Sequence, residues 1–159
     1  MNYADLLFNA IRKGSAEAVR DLLVTRAFLV NTNDARGFTP LVLASYLGHL
    51  DITKLLVEAG AELDAAGPAG TALMGVCFRG YPQIARYLVE AGADVNVRGP
   101  QGKTALHFAA EYNQPGIVVG LLQSGADAGA RDEAGLTPAE GGAAAGHAGV
   151  VEVFAGEGG

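Results

Sequence analysis

Apolar positions fall at helical spacing along most of the chain, in short runs that come in pairs. In LDITKLLVEAG, from Leu50, the residues Ile52, Leu55 and Leu56 form one apolar stripe, and the run stops at Gly60. In GFTPLVLASYLGH, just before it, Thr39 can cap a helix and Pro40 suits the first helical position, where its missing N–H is not needed. Gly48 then ends that helix, because a residue past a helix end often turns left-handed and glycine does so without steric cost. The pattern therefore predicts two short helices joined by a tight turn. A single pair cannot bury its own stripe, so pairs must stack to make a core.

The pairs repeat. Gly60, Gly92 and Gly125 align at spacings of 32 and 33 residues, and Gly14, Gly48, Gly80, Asn113 and Gly146 form a second column in the same phase. Asn113, where glycine is missing, is the next-best residue for a left-handed turn. This gives five units: 1–33, 34–66, 67–98, 99–131 and 132–159. The small residues Ala44, Ser45, Ala109 and Ala110 allow first helices of adjacent units to approach closely. In the third unit GPAGTAL is one residue shorter than DARGFTPL, so its connecting tip should be shorter.

The stretches GFTPLVLASYLGH, GKTALHFAAEYNQ and GLTPAEGGAAAGH, leading into Leu/Val-rich second helices, resemble ankyrin repeats, whose signature is T-P-L-H-x-A. The resemblance covers nearly the whole chain and is strongest over residues 34–131. It implies an all-α solenoid of stacked helix-turn-helix units with β-hairpin-like connecting loops, one domain over residues 1–159, and degenerate capping repeats at both ends.

Composition narrows the function. The 159 residues carry a net charge of −6, and half are apolar. No apolar run reaches the roughly 18 residues of a membrane span. The opening NYADLLFNAIRKG lacks the basic-then-apolar order of a secretory signal. Cys77 is the only cysteine, which excludes an internal disulfide and agrees with a reducing compartment. We expect a cytoplasmic monomer that binds neither membrane nor nucleic acid.

Candidate chemistry is sparse. His107 and Glu111 lie four apart on one helix, but a lone pair lacks the third ligand of a catalytic zinc. His107 stands in the histidine column of the signature, where the resemblance implies a hydrogen bond within the turn starting at Thr104; Glu111 is then a separate surface residue. His49 and His147 read as turn residues at the start of second helices. Cys77 reads as a packing residue, with only Arg79 nearby in sequence to activate it. GPAG and GPQG lack the Lys and hydroxyl of a phosphate loop and read as hairpin tips. No nucleophile, base and orienting group stand at related positions, so neither an enzyme nor a cofactor or metal site is expected.

Function must then come from the surface. The resemblance implies that partners meet the concave side, built from hairpin tips and the exposed ends of first helices. Candidate partner-binding residues there are Arg36, Phe38, Tyr46, Phe78, Arg79, Lys103, Glu111 and Tyr112. The aromatic members form a row of the type used by binding hot spots. Seven of the 11 basic residues (Arg12, Lys13, Arg36, Arg79, Arg98, Lys103 and Arg131) fall on the same face, which would steer a protein partner with an acidic surface. An inhibitor or immunity-type protein masking one enzyme or toxin is the alternative. The mixed-charge face of second helices, with Asp51, Lys54, Glu58, Arg86 and Glu90, gives a scaffold no particular support. Gly141 and Gly142, each costing about 1 kcal/mol in a helix, should make the last unit the least stable, while a Glu17–Arg20 pair should firm the first.

Overall fold

The computed structural model describes residues 2–157. Among these residues the chain is all-α: α1 (Tyr3–Lys13), α2 (Ala16–Thr25), α3 (Pro40–Tyr46), α4 (Leu50–Glu58), α5 (Ala72–Arg79), α6 (Pro82–Glu90), α7 (Ala105–Glu111), α8 (Pro115–Gln123), α9 (Pro138–Ala144) and α10 (Ala148–Glu157). Short 3-10 turns occupy Ala27–Asn31 and Pro100–Gly102. Helix starts follow the caps in the sequence. The Thr39 hydroxyl accepts from the Val42 N–H at 3.0 Å, and Pro40 is the first residue of α3. Thr137 and Glu140 exchange side-chain and backbone bonds at the start of α9. The column after each first helix is left-handed throughout: φ is 72° at Gly14, 83° at Gly48, 81° at Gly80, 56° at Asn113 and 84° at Gly146. Asparagine thus does at 113 what glycine does elsewhere.

The chain divides into two compact units within the first turn of α5, one ending at Ala72 and one starting at Leu73. In the first, α1 packs on α2 and α3, and α4 packs on α2 and α3. Leu7, Phe8, Ile11, Val19, Leu41, Ala44, Ile52 and Leu56 form its core. Each large aliphatic side chain buried there contributes roughly 1.5–3 kcal/mol. Leu55, expected in the apolar stripe of α4, is only half-buried, while Thr53 is fully buried. The Thr53 hydroxyl has no hydrogen-bond partner, whereas the buried Ser45 hydroxyl donates to the Leu41 carbonyl at 2.7 Å. Asn31 joins the first two repeats, accepting from the Glu62 N–H at 2.9 Å. Glu17 and Arg20 are exposed and do not form the expected ion pair; α1 is instead held by a capping box of Asn2 and Asp5.

Two connecting tips in this unit differ as their lengths require. Asp34 closes the longer one: its carboxylate accepts from the N–H groups of Arg36 and Phe38, while its own N–H reaches the Phe38 carbonyl. The shorter tip turns on Pro68 and Ala69 alone, with Gly67 and Gly70 exchanging both backbone bonds.

In the second unit α7 packs on α8 and α9, and α10 packs on α8 and α9, with α6 against α8. Met74, Val76, Cys77, Leu88, Leu106, Ala109, Ala110, Val118, Leu121 and Val150 are buried. The tip from Gly99 to Lys103 turns on Pro100 and on Gln101, whose φ of 61° is the positive value that this turn demands at its second central residue. Asp132 repeats the part of Asp34, accepting from Ala134 and Leu136. Gly141 and Gly142 are buried, and they are more than a helix weakness. A Cβ on Gly142 would lie 3.0 Å from Val150 Cγ1 and 3.3 Å from the Ala110 carbonyl oxygen. Glycine there lets α9 seat closely on α7, which offsets part of its propensity cost.

Candidate protein-binding face

In the first unit, Asp34 gathers the nearby cations. The Arg36 guanidinium is 3.8 Å from its carboxylate and 5.0 Å from the Phe38 ring centre, and Arg12 approaches the same carboxylate at 3.6 Å. Phe38 is half-buried, with room on one side only because Gly67 has no side chain: a Cβ there would lie 3.3 Å from the ring. Tyr46 is exposed at the end of α3.

The second unit brings two of the candidate aromatics into contact. Phe78, near the end of α5, and Tyr112, the residue after α7, pack edge to face with ring centres 4.5 Å apart and planes at 64°. They remain 38% and 46% exposed, so the pair presents apolar area to solvent that the fold has not used. Beside them Lys103 and Glu111 form an ion pair at 2.8 Å, each less than one-fifth exposed. The Lys103 ammonium also lies 5.9 Å from the Phe108 ring centre. Glu111 is therefore not a separate surface residue. It is the anion that satisfies Lys103.

Three further cations assigned to this face also bond within the chain. Arg98 donates to the carbonyls of Gly102 and Arg131, tying one hairpin to the next. Arg131 donates to the Gly135 carbonyl at 2.7 Å and lies 3.5 Å from Glu140. Arg79 donates to the Tyr81 hydroxyl at 3.0 Å. These bonds span two to 33 residues, and the longest of them cannot be seen from residue counts along the chain.

The candidates for chemistry are structural. His107 is fully buried; its Nδ1 accepts from the Thr104 N–H at 3.1 Å, and its Nε2 donates to the Leu136 carbonyl of the following repeat at 2.9 Å. With Nε2 carrying the proton, the Thr104 hydroxyl at 3.0 Å becomes a donor to Nδ1. His147 Nε2 donates to the Glu111 carbonyl at 2.9 Å. Cys77 is fully buried, and burial pushes its thiol well above the usual range, away from thiolate reactivity. Asp132 is held below the usual carboxylate range, chiefly by the Leu136 N–H, with His107, Ala134 and Lys103 assisting against the cost of burial. No group of three or more potential metal ligands occurs among the described residues. No described helix is long and apolar enough to cross a membrane.

The two most exposed of the large apolar side chains outside the repeat columns lie in the first unit. Val24 is 79% exposed and Phe28 72%, one near the end of α2 and the other in the 3-10 turn after it. Their i and i+4 spacing was visible, but it looks the same for a core stripe.

A family model for ankyrin repeats (three copies) matches residues 2–67 and 64–132. Among curated proteins, human ankyrin repeat domain-containing protein 49 is 45% identical over 60 residues, which is 38% of this chain and 25% of that one. Human ankyrin repeat and SAM domain-containing protein 3 is 37% identical over 62 residues, 39% of this chain and 10% of that one. Alpha-latrocrustotoxin-Lt1a of Latrodectus tredecimguttatus is 36% identical over 61 residues, 38% of this chain and 4% of that one. The matched segments thus span a quarter or less of these relatives. With paired helices, left-handed turn column and the buried His107 in its signature place, the chain belongs to the ankyrin repeat family.

Proposed function

We propose that the protein is a noncatalytic binding module that holds a protein partner on the face centred at Phe78 and Tyr112. The observation that carries this reading is the exposed edge-to-face pair, which offers rigid apolar area at low entropic cost. Arg79, Lys103 and Glu111 supply its polar rim; Arg36, Phe38 and Tyr46 are candidate contacts of the first unit in their own right. Ankyrin repeats commonly mediate protein–protein interaction, and that family habit supports the class of function. Occupying a partner's working surface would mask it, which is the route by which an inhibitor or immunity role would arise.

An acidic partner remains part of the proposal, with a smaller electrostatic share than a count of cations suggests. Arg12, Arg36, Lys103 and Arg131 each face a carboxylate of the same chain. Their remaining field orients a partner; the aromatic pair retains it.

The test begins with partners captured from native lysate by the parent chain and by a Phe78→Ala, Tyr112→Ala variant that keeps its helical circular dichroism. A partner purified from that capture is then measured by surface kinetics. We expect the double variant to dissociate at least tenfold faster, as for loss of a hot spot worth more than about 1.4 kcal/mol. Arg36→Glu and Arg79→Glu should instead slow association, an effect that added salt reproduces. Equal lifetimes for parent and double variant would remove the aromatic pair from the reading.

A further inference from the structure

Glu111 is used three times, and each use faces a different part of the second unit. Its carboxylate holds Lys103, which comes from the hairpin tip, at 2.8 Å. The same carboxylate lies against α9: a Cβ on Gly141 would stand 3.1 Å from Oε1. Its backbone carbonyl accepts from His147, at the turn between α9 and α10, at 2.9 Å. The next residue is Tyr112, half of the exposed aromatic pair, followed by left-handed Asn113. A single residue next to Tyr112 therefore joins the hairpin tip, the end of α7 and the last repeat.

We infer that the last repeat regulates this face through Glu111: folding of residues 132–157 fixes the Lys103–Glu111 pair and the Tyr112 ring, and an occupant of the face in turn holds the last repeat folded. The physical cause is solvent. While α9 covers it, the pair is largely shielded and each charge has its counter-charge; when α9 leaves, water and salt screen the pair and the Glu111 carbonyl loses His147. Coupling of this kind is reciprocal, so whatever orders Lys103 and Tyr112 stabilises the last repeat by the same factor. Among the described residues α9 and α10 pack chiefly on α7 and α8, and Gly141 and Gly142 lower the helix propensity of α9, so its opening is readily biased. The term "face" rests on the function proposed above, but the coupling is a property of the free chain and is measured on it.

The experiment is hydrogen exchange on the full chain without a partner, for the parent, Lys103→Ala, His147→Ala and the exchanged pair Lys103→Glu with Glu111→Lys. Lys103→Ala should accelerate exchange of amides 141–154 about fivefold, leave those of 50–58 unchanged, and be partly reversed by the exchanged pair. In parallel, His147→Ala should shift the ring proton resonances of Tyr112 and Phe78. Unchanged exchange at 141–154 in Lys103→Ala, an equal rise at 50–58, no recovery in the exchanged pair, or unmoved ring resonances in His147→Ala would each overturn the coupling. Failure to capture a partner would count against the proposed function and leave this result standing.

Discussion

The glycines of α8 and those of α9 are the same residue doing opposite things. Gly116 and Gly120 sit on the exposed side of α8, and a Cβ on either would meet nothing within 4 Å. Gly141 and Gly142 are buried in α9, where a Cβ would meet Glu111, Val150 and Ala110 at 3.0–3.4 Å. A helix loses about 1 kcal/mol per glycine relative to alanine in either place. Only in α9 does packing return part of it. Composition therefore ranks the two helices alike, while their surroundings assign one slack and the other a tight fit.

The largest break in this comparison should come from the surface that α9 seats against. His107→Ala removes a fully buried imidazole, its bond to the Leu136 carbonyl and the acceptor for Thr104, so we expect a loss of about 2–3 kcal/mol in the urea unfolding of the second unit. A loss under about 0.5 kcal/mol would show that water replaces these bonds. Gly142→Ala comes next: despite its better helix propensity it should destabilise by about 1–2 kcal/mol, because Val150 and the Ala110 carbonyl must yield. If it stabilises instead, propensity governs α9 as it does α8. In the opposite direction, Gly116→Ala and Gly120→Ala should each stabilise by up to about 1 kcal/mol, read as a raised urea midpoint with an unchanged slope.

The smallest effect concerns acid. Because the folded chain holds Asp132 below its ordinary value, the stability it contributes is complete above the unfolded carboxylate range, near pH 4, and is lost as pH falls through the folded value. Asp132→Asn keeps an oxygen for the Ala134 and Leu136 N–H groups but removes that titration. Its stability should consequently decline less between pH 4 and pH 2.5 than that of the parent, and parallel curves would exclude Asp132 as a source of acid sensitivity.

What could be read from the sequence was local. Thr39, Pro40 and the column of Gly48 and Asn113 act on the backbone within four residues, so their roles appear in the order of the letters. The shorter tip at Gly67–Gly70 likewise follows from a count. The histidine column located His107, although its bond to Leu136 lies 29 residues away. Most of the site's electrostatics was not legible. Lys103 and Glu111 are eight residues apart, on a tip and a helix end, and nothing in their spacing says that the two charges meet. Nor could the sequence distinguish Gly142 from Gly120, since the difference is made by Val150 and Ala110 in space. Phe78 and Tyr112 are each visible as aromatic residues near first-helix ends, but their contact depends on how adjacent repeats are offset in space.

The buried Cys77 makes the molecule its own clock. With no other thiol in the chain, a disulfide reagent added to native protein can modify only the α5 side chain, and it can do so only after that helix is uncovered. At low reagent the labelling rate will follow the population of the opened form; at saturating reagent it will reach the opening rate itself. One cysteine, inert in the folded chain, thus yields both the depth of the well that holds α5 and the height of its rim.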